Sequence, residues 1–222
     1  MRTLLAFGVA ALVSTSAQAA VNLVTNGSFE NGIVVTGPTY VATDDVSSIT
    51  GWTVTANGVN YTDNTTNVGW DASLGSRSVE LSSSAGGNGG LFQLISGFVV
   101  GRTYRLTFDV SANPFDTNFR PRDARVRFSV TGNTPKLYDY ALQNVNTATN
   151  MLYDTVSYDF VAGAVMQSVS IRGAVNPFLG YGVVVDNVTI IAVPEASTWT
   201  MLILGFSLVG LASRRRTTAV SA

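Results

Sequence analysis

Asp186 is the residue whose position most needs a chemical explanation. Alternating along Val183–Ile191, it shares a face with Val184, Val188 and Ile190, so a strand there turns its carboxylate toward an apolar interior. An ionised carboxylate in such a place needs a cation or several hydrogen-bond donors, because bare burial costs many kcal/mol. Calcium meets that need with carboxylate and backbone oxygens alone. An arginine partner, or an edge position open to water, meets it as well.

Other site chemistry is narrowed by what the chain lacks. It contains no histidine and no cysteine. The commonest general base and the commonest zinc ligand are thereby absent, along with disulfides and thiolate metal sites. Serine–histidine and cysteine–histidine catalysis are excluded. Paired carboxylates of the glycosidase kind are the hydrolytic chemistry that remains. Between residues 21 and 193 the only glutamates are Glu30 and Glu80, both in strand-like or capping contexts, and the aspartates are scattered. The chain therefore reads as a protein that is not an enzyme.

Two aromatics suggest a sugar platform. Trp70 sits in Asn67–Ala72 beside Asp71, and Tyr61 lies in a polar stretch near Asp63. A sugar stacks its apolar ring face on an aromatic while nearby polar groups take its hydroxyls. Packing beneath a loop is the competing use of both, and Trp52, after Gly51, fits a core position. Arg120, Arg122, Arg125 and Arg127, with Lys136, form a basic stretch suited to an acidic polysaccharide. Asp116 and Asp123 dilute it, and a solvated strand face is its plainer reading. Residues 21–193 hold nine Arg or Lys against thirteen Asp or Glu, a net charge of −4. Nucleic-acid binding needs a concentrated positive field, so no nucleic acid is expected as a partner.

The elements that would position these groups are strands. Tyr104, Leu106, Phe108 and Val110 alternate with Thr103, Arg105, Thr107 and Asp109; Val126, Phe128 and Val130 alternate with Arg125, Arg127 and Ser129. Val156, Tyr158 and Phe160, then Val169 and Ile171, repeat the pattern. Period-two alternation marks strands with one buried and one solvated face. Asn26-Gly27, Asn31-Gly32, Asn57-Gly58, Gly86–Gly90, Asn113-Pro114 and Gly132-Asn133 punctuate them as turns. No stretch of the middle has a helical period, and Thr43–Asn67 reads as polar and loop-rich. The fold class is all-β: an antiparallel β-sandwich of jelly-roll kind, with small barrels the alternative architecture.

Both ends differ in kind from this middle. Met1–Ala20 places Arg2 before an apolar run through Leu4, Leu5, Phe7, Val9, Leu12 and Val13, and closes on Ala17-Gln18-Ala19. That is the order of a secretory signal peptide. Residues 21–193 are one domain, long enough to bury its own core. Residues 194–222 form a tail: Pro194-Glu195 and Trp199, an apolar run Met201–Ala212, then Arg214-Arg215-Arg216. The run is short as a helix against a hydrocarbon core about 30 Å thick, and three arginines would hold its end in the cytoplasm.

This tail resembles the PEP-CTERM sorting signal of Gram-negative bacteria, with Ala196 standing where the second proline of Pro-Glu-Pro is usual. The resemblance implies recognition by a membrane exosortase, transient association with the inner membrane, removal of the tail, and release to the cell surface or an exopolysaccharide matrix. The middle is similar to galactose-binding-like jelly rolls, to bacterial choice-of-anchor C proteins and to a plant cell-wall jelly-roll family. The residues that carry this likeness are Asn22–Gly32, Gly51-Trp52, Val79-Glu80-Leu81, Gln93, Gly101–Phe108 and Val185–Val188. In similar jelly rolls the strand ending at Glu30 runs close to that of Asp186, which implies a structural calcium held by Glu30 and Asp186. Together these readings lead to an exported surface or matrix protein with a non-catalytic glycan-binding module. The alternative is a purely structural matrix or surface protein without a small ligand.

Overall fold

The structure is a computed structural model that describes residues 21–65, 67–82, 87–115, 124–140, 146–174, 182–194 and 203–210. The signal peptide, Arg120, Arg122, Glu195, Trp199 and Arg214–Arg216 lie outside the described residues.

Among the described residues the domain is built from eleven strands in two antiparallel sheets. They are β1 (Thr39–Val41), β2 (Thr53–Ala56), β3 (Val59–Asp63), β4 (Arg77–Glu80), β5 (Gly89–Ser96), β6 (Thr103–Ala112), β7 (Arg125–Val130), β8 (Lys136–Asp139), β9 (Asp154–Val161), β10 (Met166–Gly173) and β11 (Val183–Ala192). One sheet has the order β1-β3-β4-β11-β6-β9, the other β2-β5-β10-β7-β8. This is the expected jelly-roll sandwich and not a small barrel, and each sheet turns its apolar residues toward the other. Leu106, Phe108 and Val110 of β6 meet Val126, Phe128 and Val130 of β7 in that core, with Phe108 and Phe128 edge to face at 5.2 Å.

Two sequence expectations fail at particular places. Thr43–Asn67 is loop-rich but not loop throughout, since it contributes the two short strands β2 and β3. Asn57-Gly58 lies between them, but the two strands belong to different sheets, so this turn carries the chain across the sandwich. Polar residues such as Thr53, Thr55 and Asn60 hid the alternation there. The second failure is the face of Asp186. The pairing of β11 with β6 shifts register between Asp186 and Thr189, and Asn187 takes a φ of 51°. An extra residue in a strand reverses its alternation beyond that point. Val183 and Val185 before the bulge, and Val188 and Ile190 after it, all face the main core. Val184 instead joins a second small cluster with Trp70 and Met151, on the outer side of the six-stranded sheet. Asp186, two residues along, shares that outer side.

The helical expectation for the tail holds over 203–210, where the chain is helical and exposed. Among the described residues no helix is long and apolar enough to cross a membrane.

Candidate functional site

The outer face of the six-stranded sheet is covered rather than open. Residues 67–76, which lead from β3 into β4, fold back across it. Asp71 donates its N–H to the Ala148 carbonyl at 2.7 Å, and the Tyr153 hydroxyl donates to the Asp71 carbonyl at 3.0 Å. Trp70 is buried beneath, its indole N–H donating to Ser78 Oγ at 2.9 Å and its ring 5.9 Å from that of Phe115. Tyr61 is buried in the main core, its hydroxyl donating to the Phe29 carbonyl at 2.5 Å and accepting from Arg77 Nη1 at 2.8 Å. Neither ring offers a face to solvent, so the sugar platform expected at Trp70 and Tyr61 is not formed. Both side chains have a polar tip that finds a partner when buried, and this is what a loop-covering aromatic needs.

Three carboxylates hold the covering loop. Glu30 Oε1 accepts the N–H groups of Ser76 (3.0 Å) and Arg77 (2.8 Å), and Oε2 accepts the Ser76 hydroxyl at 3.2 Å. Asp186 Oδ2 accepts the Leu74 N–H at 2.8 Å, and Oδ1 its neighbour Asn187 N–H at 2.6 Å. Asp109 stands opposite Asp186 in the β6–β11 register and accepts from Ser73 Oγ (2.5 Å), Thr155 Oγ1 (2.6 Å) and Asn187 Nδ2 (3.0 Å). Burial pushes the Asp186 carboxyl up to about 7, against the pull of the Leu74, Asn187 and Ser73 N–H groups, and Asp109 pushes it the same way.

Glu30 and Asp186 grip one loop at successive places, Asp186 at Leu74 and Glu30 at Ser76 and Arg77. No group of three or more metal-ligating acidic side chains occurs among the described residues. The donors on Asp186 are backbone N–H groups and those on Glu30 are backbone N–H groups and a hydroxyl. Glu80 is saturated likewise. It is buried and accepts from Asn60 Nδ2, Ser82 Oγ, Asn113 Nδ2 and the Gly182 N–H, all at 2.8–3.0 Å.

The outer face of the five-stranded sheet is open. Arg127 and Arg172 are directly opposite each other across β7 and β10, and both are exposed. Neither side chain makes an ion pair or hydrogen bond among the described residues. Thr55 and Gly90 continue their row on β2 and β5, and Leu137 ends it on β8. Thr53, Phe92, Ser170 and Ser129 form the parallel row beside it. Arg125 is different, because it pairs with Asp139 across β7 and β8. Lys136 leaves the expected basic face altogether: it is in register with inward-facing Phe128 and lies over the Tyr158 ring at 5.7 Å. Arg172 escaped the sequence reading because its neighbour across the sheet is 45 positions away, and only strand pairing makes them adjacent.

A family model described as "Protein of unknown function (DUF642)" matches residues 22–191. The chain belongs to the DUF642 family. The PEP-CTERM protein-sorting motif matches residues 192–216, so this DUF642 chain carries the signal of an exported protein. No curated protein matches it significantly. Among solved structures, it is similar to TmCBM61, determined in complex with β-1,4-galactotriose, at 12% identity and a TM-score of 0.52. That match covers 78% of this chain and 99% of the other. The CBM22-1 xylan-binding domain of Paenibacillus barcinonensis Xyn10C is 10% identical at a TM-score of 0.38, covering 73% of this chain and all of the other. At 12% identity the likeness to TmCBM61 shows the fold alone.

Proposed function

We propose that this DUF642 protein is an exported, non-catalytic glycan-binding module whose binding face is the open side of the five-stranded sheet. The observation that carries the reading is the Arg127–Arg172 pair. Two like charges directly opposite in a sheet destabilise it, and an anionic ligand between them removes that cost. Guanidinium groups bind carboxylates in a two-pronged fashion, which suits the uronate units of an acidic polysaccharide. The flanking Thr53, Thr55, Ser129 and Ser170 provide hydroxyls for sugar hydroxyls, and Phe92 an apolar surface. A fold shared with a galactotriose-binding module supports the reading. The saturated state of Glu30 and Glu80 supports the absence of catalysis. The sorting motif supports a route through the inner membrane, cleavage by an exosortase-type protease, and a final place at the cell surface or in the exopolymer matrix.

The test is affinity electrophoresis of the exported protein against a polyuronate and a neutral galactan. The polyuronate should retard it, less so at high salt, since exposed charge pairs are screened. R127A with R172A should abolish the retardation. Retardation by galactan alone, unchanged in the double variant, would place the binding face elsewhere. If neither polymer binds, the purely structural reading replaces this one. Cleavage has its own check: mature protein from an exosortase-bearing host should end near Pro194–Glu195 by intact mass. Secreted chains that still end in Ala222 would refute it.

A further inference from the structure

The sandwich has one end where exposed apolar side chains gather, and it is the end from which the chain leaves for its sorting tail. The segment between β5 and β6 bonds to the turn between β9 and β10, through Phe98 N–H to the Val165 carbonyl at 3.3 Å and Gly101 N–H to the Ala162 carbonyl at 2.8 Å. At this junction Val99, Val100, Val161, Val165 and Met166 are all between 52 and 65% exposed. A Cβ added to Gly101 or Gly163 would meet nothing within 4 Å, so both tips project into open space. Across residues 97–101 and 162–166 there is no charged residue; Arg102 comes next in the chain. Scattered exposed valines are ordinary on a protein surface, whereas several on two touching tips are not.

The exit of the chain is beside them. Val193 donates its N–H to the Thr103 carbonyl at 2.9 Å, one residue from Arg102. Between Val193 and the apolar run at Met201 lie only Pro194 to Thr200. At about 3.5 Å per residue such a tether reaches roughly 25–30 Å. The ten-residue strands β6 and β11 are themselves about 33 Å long, so the tether cannot carry the far end of the sandwich to the place where the tail is anchored.

We infer that this end, with Val99, Val100, Val165 and Met166 at its tips, is a lipid-facing surface that rests on the bilayer while the sorting tail is uncleaved. The inference rests on the membrane route proposed above. The short tether brings the end to the bilayer, and its uncharged valine tips suit the interfacial layer. Removal of the tail leaves only this weak contact, so cleavage and release become one event.

Because the chain has no cysteine, single labels are clean. The full chain, purified with its tail, carries an environment-sensitive fluorophore at V99C, V165C or, at the opposite end, N57C. Each is reconstituted into vesicles of phosphatidylethanolamine and phosphatidylglycerol. Labels at 99 and 165 should shift to the blue and lose most of their emission to quencher-bearing lipid, while the label at 57 keeps its aqueous spectrum. A chain that stays on the vesicles through an alkaline wash, yet gives the same spectra at all three positions, overturns the inference alone. A chain that washes off overturns the membrane route and this inference with it. Shielding that is complete without lipid and grows with protein concentration identifies a second copy as the occupant, and also overturns it.

Discussion

The two sheets have outer faces of opposite character, although their strands are written in the same alternating pattern. On β6 the outward residue Asp109 is 5% exposed, closed in by Ser73, Thr155 and Asn187. On β7 the outward residue Arg127 is exposed and faces a second arginine. The difference is made by residues 67–76, which cover one sheet and have no counterpart on the other among the described residues. Covering turns polar side chains into obligatory hydrogen-bonding partners, because an unsatisfied buried group costs about 1–3 kcal/mol. On the open sheet the same kinds of residue are held by water and remain available to a ligand. Stability should therefore reside in the covered face and recognition in the open one.

Trp70 gives the largest effect by which to break this contrast. Its replacement by alanine removes a buried indole and leaves the Ser78 hydroxyl without its donor. Such changes cost about 3–5 kcal/mol. For a domain of this size that lowers the melting midpoint by roughly 6–20 °C. Thermal melting of W70A should show a fall of that order, while polysaccharide retardation of the still-folded variant at low temperature stays unchanged. Lost retardation with an unaltered midpoint would return Trp70 to the role of a sugar platform.

The second effect is a pH dependence from Asp186. Its carboxyl is raised to about 7 in the fold, against an ordinary value near 4, so the folded state holds a proton that the unfolded chain releases. Between about pH 4 and 7 the unfolded state binds fewer protons, and stability from this group falls as pH rises. Asp45, Asp63 and Asp159 lie below the ordinary value and titrate under this window, each losing its stabilisation only as the pH drops further. The midpoint should therefore rise on going from about pH 8 to about pH 5, and D186N should flatten that slope. An equal slope in both proteins would assign the titration to another group.

How much of this was legible before the structure follows from where each signal lives. Alternation is local, so β6, β7, β9 and β10 could be read directly, and so could the burial of Trp52. A bulge is a feature of pairing: nothing in Val183–Ile191 announces that the pattern reverses at Asn187, and so Asp186 was placed rightly with Val184 but wrongly with Val188 and Ile190. Polar strands with short alternation, β2 and β3, were absorbed into a loop. Trp70 and Tyr61 have the composition of a sugar platform; only the path of the loop over the sheet shows Trp70 to be a lid anchor, and only the facing of β3 puts Tyr61 in the main core. Arg172 became a candidate only through its cross-strand neighbour.

A smaller effect is expected where the open face carries its like charges. Opposed charges in a sheet are worth about 0.2–1 kcal/mol, so R172S should leave the melting midpoint unchanged or raise it by a degree or two. Added salt should erase the gain by screening the pair. A fall of several degrees would mean that Arg172 is held by a structural partner, and the open face would lose its claim to be a free binding surface.

The smallest effect concerns calcium, and it bears on the covered face. Glu30 takes three donors from Ser76 and Arg77, and Asp186 takes the N–H groups of Leu74 and Asn187. A cation at either place would have to displace those N–H groups, which point their positive ends at the same oxygens and repel it. The loop would then lose its fastening to the sheet in exchange for the ion. Any species that binds only the folded state raises its stability, by about 2.7 kcal/mol at a hundredfold excess over the dissociation constant. Melting the exported protein in millimolar calcium and in chelator should nonetheless give the same midpoint, with a metal assay showing that the chelated sample is free of calcium. A midpoint several degrees higher in calcium, lost in E30Q or D186N, would mean that the carboxylates turn from the loop to a shared ion. The covered face would then be fastened by metal and not by its own backbone.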